Sequence, residues 1–471
     1  MPQRCGLAVV LAVLSALVLP GSAVAAPVTI TNGTQFTDTN GNVVHAHGGG
    51  VLKVGSYYYW FGENRNPDNT FRAVSAYRST DLRNWEFRNN VLTQSSHSEL
   101  QVANIERPKV IFNASTGQYV MWMHKENGRD YGEARAAVAT ASTVDGNYTW
   151  RGSFRPLDYM SRDITLFKDD DGTTYMISAA NENADLHVYR LTSDYLQVSA
   201  RVQRLWPGSW REAPAMFKRN GVYFLLTSGA TGWNPNQQKY ATASSVTGSW
   251  SALSDVGNAT AFDSQTAFVL PVQGSQTTSY LYLGDRWAGA TGGAVNESRY
   301  VWLPLSFPSN TTMTMSYSSQ VTIDTATGAI TATGAQRYSF TARHSGKCAD
   351  IPSSSQDNGT QLKQYPCNGG NNQGFEAQPA GDEYYRLVAA HSGKCLDVSD
   401  ASTADSATVI QYTCGSGTHQ QWRFEDAGSG YYRIVARHSG KCLDVTSGST
   451  ADGALVKQYT CGSDANQQWR R

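Results

Sequence analysis

Three polar residues far apart in the chain hold the same position relative to a glycine turn. Asp163, Glu212 and Gln265 each precede the glycine of such a turn by nine residues, and Glu106 precedes its own by eleven. Carboxyl groups that share a confined space acquire different pKa values, so that one keeps a proton that another has lost. The four residues are therefore candidates for acid–base chemistry, with Gln265 as an amide among the acids.

The segments after these residues predict the elements that bring them together. An apolar run, a turn containing glycine and a tyrosine-rich run recur five times, starting at Val51, Lys109, Ile164, Pro214 and Ala267. Each unit has the pattern of a β-hairpin, and a spacing of about 50 to 60 residues is typical of propeller blades. We expect an all-β protein with a five-bladed β-propeller over residues 27–324, in which equivalent positions converge near the axis. Carboxyl groups that converge among aromatic rings are what cleavage of a glycosidic bond requires.

The net charge excludes two classes of partner, and the first residues indicate the compartment in which the protein acts. Lys and Arg number 38, as do Asp and Glu, so the chain offers no basic surface for nucleic acid or for an anionic membrane. An apolar run followed by small residues predicts a signal peptide over residues 1–26 and hence a secreted protein. We expect a monomer that acts on a polysaccharide.

The last third of the chain repeats with a period of 47 residues. Six cysteines follow this period, and the simplest pairing is three local disulfides, Cys348–Cys367, Cys395–Cys414 and Cys442–Cys461. With its terminal Gln-x-Trp motifs at Gln420 and Gln467, the repeat resembles the ricin-type β-trefoil of carbohydrate-binding module family 13. The resemblance covers residues 337–471 and implies one sugar site per repeat, formed by Asp350, Tyr365 and Asn372; by Asp397, Tyr412 and His419; and by Asp444, Tyr459 and Asn466. The small, uncharged residues 325–336 are predicted to be a linker.

The first domain resembles glycoside hydrolase family 43, whose members are five-bladed inverting enzymes. The resemblance rests on the hairpins, on DDDGTTYM after Asp163 and on EAPAMFKRNGVYF from Glu212. It implies that Glu212 is the general acid and that Asp163 adjusts the pKa of Glu212. The general base of the family is expected near Gly48, where this chain has no acid.

The missing acid at Gly48 and the motifs YYYWFGE, NIERPK and DSQTAF resemble the exo-β-1,3-galactanase branch of the family. The resemblance implies substrate binding by Glu106 and a base position at Gln265, and it implies galactose contacts from Glu63, Tyr131, Asn181 and Thr231. An amide scarcely accepts a proton. Either Gln265 relays the proton of the attacking water, or it only orients the water and Glu106 takes the proton. The group that activates the water is expected about 6.5 to 9.5 Å from the acid.

Two other functions and a metal site are the alternatives to this prediction. A β-xylosidase or α-L-arabinofuranosidase of the same fold conflicts with the missing acid at Gly48, and a non-catalytic galactose-binding lectin conflicts with the presence of Glu212 and Asp163. His45 and His47 share a strand face, but no third ligand is evident, so polar packing is favoured over a metal site. No cofactor is expected.

Overall fold

The computed structural model describes Met1 and residues 26–332, 336–380 and 383–471. The predicted signal peptide lies, except at its two ends, outside these described residues. Within them the chain forms β-strands and short 3-10 turns, with no α-helix. None of the described segments is a helix with the length and apolarity that a bilayer crossing demands.

Five four-stranded antiparallel sheets form the first domain, as the hairpin pattern predicts. After β1 (Val28–Thr31), the blades in chain order are His47–Val54, Tyr57–Arg65, Phe71–Ser79 and Glu86–Thr93 (β2–β5); Asn104–Asn113, Gln118–Glu126, Arg135–Ala141 and Thr149–Phe154 (β6–β9); Ile164–Lys168, Thr174–Ala180, Asp185–Leu191 and Val198–Leu205 (β10–β13); Arg211–Arg219, Val222–Gly229, Gln238–Ala243 and Ser254–Val256 (β14–β17); and Gln265–Gln273, Thr278–Arg286, Arg299–Ser306 and Thr314–Met315 (β18–β21). The first strands of the blades contact one another in a closed ring, in the order β2, β6, β10, β14, β18 and back to β2. They are therefore the innermost strands.

Apolar side chains from facing blades fill the spaces between the sheets. Trp60 and Trp85 of the first blade pack against Trp302 of the fifth, with the Trp60 and Trp302 ring centroids 4.9 Å apart. Buried aromatic rings of this size dominate core energetics. The seam that closes the ring of blades is thus held by side chains.

A β-bulge interrupts the innermost strand of four blades, and in two of them it directly follows a candidate acid, Glu106 or Glu212. The register shifts after His47, Glu106, Glu212 and Thr266. Bulges re-aim side chains and occur next to active sites. Strand alternation alone therefore does not decide which side chains face the axis here.

The second domain consists of three disulfide-bridged repeats. Its strands are Gln336–Tyr338, Thr341–Ala342, Cys348–Asp350 and Lys363–Tyr365 (β25–β28); Phe375–Pro379, Tyr385–Ala389, Cys395–Val398 and Val409–Tyr412 (β29–β32); and Gln421–Gly428, Tyr431–Ala436, Cys442–Val445, Val456–Tyr459 and Trp469–Arg470 (β33–β37). The three predicted disulfides are confirmed. Phe375, Trp422 and Trp469 are fully buried in one core, so the Gln-x-Trp aromatics stabilise the fold rather than contact a ligand.

Of the predicted linker, the structure describes residues 325–332 and 336, which form a turn and parts of two strands. Ala329–Ala332 (β24) pairs with Gln320–Asp324 (β23), which in turn pairs with β1. The segment TATG forms the turn of this hairpin, with Gly328 at φ 81°. Ile330 packs against the core between the first and fifth blades. Small residues therefore form a strand here because neighbouring strands and an apolar surface are available to them.

Strand β25 joins the two domains. It pairs on one edge with Tyr317–Ser318 (β22), which follows the last blade, and on the other edge with β29 of the second domain. Arg337 of β25 also lies 3.5 Å from the carboxylate of Asp263 in the first domain. Backbone pairing and an ion pair thus connect the domains.

Candidate active site

A cavity of about 650 Å³ lies at the start of the innermost strands, on the propeller axis. The structure places Glu106, Asp163, Glu212 and Gln265 in the walls of this one cavity. Each comes from a different blade and lies at or just before the first residues of its innermost strand. The spacing to the turn glycines therefore predicts their convergence correctly.

Glu212 has the environment of a group that holds a proton at neutral pH. Burial and the nearby charge of Asp163 raise the pKa of Glu212 to about 8, against the opposing charge of Arg107. Its carboxyl oxygens accept hydrogen bonds from Asn183 Nδ2 at 3.0 Å and Gln265 Nε2 at 2.9 Å. Asp163 accepts the N–H of Ala213, the residue after Glu212, at 3.0 Å. This backbone bond fixes the two acids beside each other.

Gln265 is held by four hydrogen bonds. Its Oε1 accepts from Arg107 at 2.5 Å and from Trp287 Nε1 at 2.8 Å, and its Nε2 donates to Ser228 at 2.9 Å as well as to Glu212. These partners determine the orientation of the amide, because a flipped amide would face two donors with its own N–H groups. Gln265 contacts the acid directly, so this pair does not have the separation expected between an acid and a water-activating group.

Arg107 connects these groups, although nothing in the sequence singles it out. Its backbone is left-handed, with φ 51°, at the bulge after Glu106. The side chain therefore faces the cavity, where Nε lies 2.8 Å from Asp163 and another nitrogen donates to the carbonyl of Thr266 at 2.7 Å. One guanidinium thus links the second, third and fifth blades.

Glu106 belongs to a second charged cluster in the wall of the same cavity. It accepts from Arg65 and from the Tyr131 hydroxyl, at 2.7 and 2.8 Å, and lies 3.1 Å from His124. Burial favours the neutral acid, but Arg65 and His124 outweigh it and hold the pKa of Glu106 well below its usual range. Hydrogen bonds to Glu106 and Glu126 overcome the burial of His124 and raise its pKa to about 9. Glu106 is therefore ionised and His124 protonated at neutral pH.

Glu63 occupies the space that an acid at position 48 would need. A Cβ on Gly48 would lie 2.4 Å from Glu63 Oε1, and Gly48 has φ 60°. The Glu63 carboxylate accepts from Arg65 and from the N–H of Arg107, at 2.7 and 3.0 Å, and its side chain is 2% exposed. The absence of an acid at Gly48 thus has a structural cause.

Two of the four predicted galactose contacts, Asn181 and Thr231, do not line the catalytic cavity. Asn181 lines a different cavity, and Asn183 faces Glu212 instead, because residues 181–183 form a left-handed turn that strand alternation does not describe. Thr231 bonds within its own loop, donating to the carbonyl of Asn234 and accepting from Asn236. Glu63 and Tyr131 do line the catalytic cavity.

The cavity also contains aromatic side chains that no sequence motif indicated. Trp210, Trp233 and Trp287 line it, and the Trp233 and Trp287 rings lie 5.4 Å apart. Beyond them a cleft of about 790 Å³ leads from Gln265 to Asn371 of the second domain. Apolar rings beside polar groups suit a sugar ring.

The side chains in this cavity are poorly suited to binding a metal ion. Potential ligand atoms of Glu106, His124 and Asp163 lie within 4.8 Å of one another. The guanidinium groups of Arg65 and Arg107 already contact the two carboxylates, and a protonated histidine does not ligate a metal. His47 bonds to Asp285 at 2.9 Å and stacks on Tyr300, as expected for polar packing.

The predicted sugar-binding residues of the second domain come together in each repeat, with differences. Asp350 and Asp444 each accept from an asparagine at 3.0 Å and from a buried glutamine. Asp397 lies 3.4 Å from His419, which replaces that asparagine. Cavities of about 440 and 450 Å³ adjoin the second and third repeats, where Tyr412 and Tyr459 are 46% and 45% exposed. Tyr365 of the first repeat is half-buried against the loop at Gly453.

Comparison with known proteins supports this description. The sequence matches the profile of the glycosyl hydrolases family 43 over residues 47–276, and that of the ricin-type β-trefoil lectin domain over residues 336–469. The chain is similar to the solved structure of an exo-β-1,3-galactanase from Clostridium thermocellum, with 51% identity, 94% of this chain and 99% of that chain covered, and a TM-score of 0.68. An exo-β-1,3-galactanase from Phanerochaete chrysosporium, solved with galactose, has 29% identity, coverage of 94% and 92%, and a TM-score of 0.64.

Among curated proteins the chain matches a β-D-galactofuranosidase of Aspergillus niger. The identity is 33% over 92 residues, which is 19% of this chain and 26% of that protein. The chain thus spans about a quarter of this relative, whereas it covers the bacterial galactanase almost completely. With a raised-pKa carboxyl group at the axis of a five-bladed propeller, and with a β-trefoil attached, the chain belongs to glycosyl hydrolase family 43 and is a glycosidase.

Proposed function

We propose that the protein is a secreted exo-β-1,3-galactanase that removes galactose from the β-1,3-galactan main chain of arabinogalactans with inversion. The proton that Glu212 holds beside Asp163 is the observation that carries the reaction type. The substrate is supported by similarity to two exo-β-1,3-galactanases and by Glu63 in the space of the acid that other members of the family carry. That substitution also disfavours the β-xylosidase and α-L-arabinofuranosidase alternative.

Glu212 protonates the glycosidic oxygen of the departing chain in this mechanism. Asp163 keeps that proton in place by its negative charge, and Arg107 forms an ion pair with Asp163. The tryptophans and Tyr131 hold the terminal galactose by ring contacts and hydrogen bonds. The glycosidic oxygen takes the place of the Gln265 amide at Glu212, so substrate binding breaks the direct contact between the two residues.

Two groups could receive the proton of the attacking water. Gln265 has its oxygen occupied by two donors, and Glu106 is stabilised as an anion by Arg65 and His124. Azide distinguishes them, because a small anion replaces the activated water only where the activating side chain has been removed. Rescue by azide of Gln265→Ala and not of Glu106→Ala would assign the role to Gln265, and the reverse result to Glu106.

The proposal also includes the compartment in which the protein acts and its oligomeric state. Three disulfides suit an oxidising compartment, in keeping with the predicted signal peptide. We expect the protein to act as a monomer, with the β-trefoil holding galactan near the cavity.

The test compares purified enzyme on β-1,3-galactan, xylan and arabinan, with the products separated by chromatography. We expect galactose from β-1,3-galactan alone, released first as the α-anomer in a proton NMR time course. Glu212→Gln should lower the rate by about 100-fold to 10,000-fold, the contribution of a general acid. Glu86→Gln, a surface variant, should retain the full rate. Release of xylose or arabinose but not galactose, or an active Glu212→Gln enzyme, would refute the proposal.

A further inference from the structure

A second cavity lies in the third blade beside the catalytic cavity. We call it the side cavity; its volume is about 400 Å³ and its walls include Tyr159, Asn181, Asp185, His187, Arg201 and Arg204. The left-handed turn at residues 181–183 separates the two cavities, since Asn181 lines the side cavity while Glu182 and Asn183 line the catalytic one. A ligand in the side cavity would therefore lie next to the active site.

The guanidinium of Arg201 has no carboxylate partner among the ion pairs of the described residues. Arg204 pairs with Asp185 at 2.8 Å, so these two charges cancel. Arg201 instead lies over the ring of Tyr159, 4.4 Å from its centroid. Asp158, also in the cavity wall, is exposed to solvent. The side cavity thus holds a guanidinium that makes no ion pair among the described residues, beside an aromatic ring.

His187 presents an unsatisfied polar atom at the same place. The residue is 1% exposed, its Nδ1 bonds to Tyr189 at 2.9 Å, and its buried Nε2 has no hydrogen-bond partner among the described residues. Burial and the charge of Arg201 lower the pKa of His187 to about 4, so the ring is neutral. Buried polar atoms are rarely left without a partner, and a ligand hydroxyl would satisfy this one.

We propose that the side cavity binds a sugar ring that carries a carboxylate, a uronic acid. A guanidinium such as Arg201 pairs with a carboxylate through two parallel hydrogen bonds. The Tyr159 ring, 40% exposed, packs against the apolar face of the sugar, and His187 Nε2 bonds to a ring hydroxyl. An aromatic ring, a free guanidinium and a neutral imidazole together match this ligand better than a neutral sugar or a free inorganic anion.

The position of the side cavity further indicates that the uronic acid is part of the substrate. This step rests on the proposed function, because it takes the polysaccharide to be the molecule in the catalytic cavity. The turn at residues 181–183 contributes to the walls of both cavities. A branch on a sugar bound near Glu212 would enter the side cavity.

Binding is tested with two probes that differ only at C6, methyl β-D-glucuronoside and methyl β-D-glucoside, by calorimetry on the full chain. We expect the glucuronoside to bind about tenfold or more tightly than the glucoside, as a charge-assisted pair requires. Arg201→Gln should remove this preference, Tyr159→Ala should weaken both probes, and Asp158→Asn should strengthen the glucuronoside. Arg190→Gln, which removes an exposed charge from the same blade, is the matched control and should bind as the wild type does.

Unchanged melting temperatures show that the variants are folded. Equal affinities of the wild type for the two probes, or an Arg201→Gln variant that still prefers the glucuronoside, would overturn the assignment. Because these probes are not galactans, failure here is distinct from failure of the proposed function. The inference that the uronic acid is part of the substrate is tested on galactan bearing uronic acid branches. Arg201→Gln should raise KM severalfold, whereas Arg190→Gln should not. Equal KM values of the two variants would overturn this inference.

Discussion

The proton on Glu212 depends on two charges of opposite sign that lie close to it. Burial raises the pKa of Glu212, the charge of Asp163 raises it further, and the charge of Arg107 lowers it. The arrangement is an acid kept neutral by its surroundings, the pattern of a general acid at neutral pH. Each neighbour can be removed separately, which makes the balance measurable.

The pH profile of kcat/KM should therefore lose activity on the basic side, with an apparent pKa near 8, because Glu212 must be protonated to act. Asp163→Asn removes the charge that raises this pKa, so its basic limb should move to lower pH. Arg107→Gln removes the charge that lowers the pKa, so its limb should move to higher pH. Both variants should also turn over more slowly.

Arg190→Gln is the control for the change in net charge and should leave the profile in place. Shifts of both limbs in the same direction would contradict the assignment of Glu212. A merely structural role of Arg107 would lower the rate without moving the limb, so the profile separates the two roles.

Individual residues were predictable from the sequence where strand position decides their direction. Glu106, Asp163, Glu212 and Gln265 lie at the entries of their hairpins, and a count back to each turn glycine finds them. Arg107 was not predictable, because its left-handed backbone at a bulge turns the side chain toward the axis. Asn181 lines the side cavity instead of the catalytic one for the same kind of reason, because it lies in a turn of three left-handed residues.

The hairpin of β23 and β24 shows how neighbouring elements decide a conformation that composition does not. Apart from Ile330, residues 325–336 have only small or polar uncharged side chains. Such segments are usually linkers. The alternation in VTID and AITA around the turn TATG was the signal that could have revealed two paired strands. Pairing with β1, which comes 300 residues earlier, could not be read from local pattern.

Substitution of Ile330 tests whether this hairpin contributes to stability. Ile330→Ala should lower the free energy of unfolding of the first domain by about 1 to 2 kcal/mol, less than a fully buried isoleucine, because the side chain is only partly buried. Thr331→Ala, on the exposed side of the same strand, should change it by less than about 0.5 kcal/mol. Denaturant unfolding followed by tryptophan fluorescence measures both, and equal effects would favour a free linker.

Under the proposed function, binding by the β-trefoil assists cleavage of the polymer. The second and third repeats have exposed tyrosines beside open cavities, whereas Tyr365 in the first is half-buried. The 47-residue period predicts the three sites, but the covering of Tyr365 by another repeat depends on how the repeats pack. We expect the repeats to differ in affinity although their motifs are alike.

Affinity electrophoresis in gels containing galactan measures this difference. Asp444→Ala should reduce retardation of the full chain severalfold, because it removes the carboxylate from an open site. Asp350→Ala should have a smaller effect, since the tyrosine of that site is less accessible. Equal loss in both variants, or a larger loss in Asp350→Ala, would contradict the ranking.

The pairing of β25 with both β22 and β29 has a consequence for how polymer is delivered. A tether would let the lectin domain sample many directions, whereas a shared strand sets one. Under the proposed function, galactan bound by the repeats reaches Glu212 from one direction, and the distance between the bound segment and the cleaved bond stays constant.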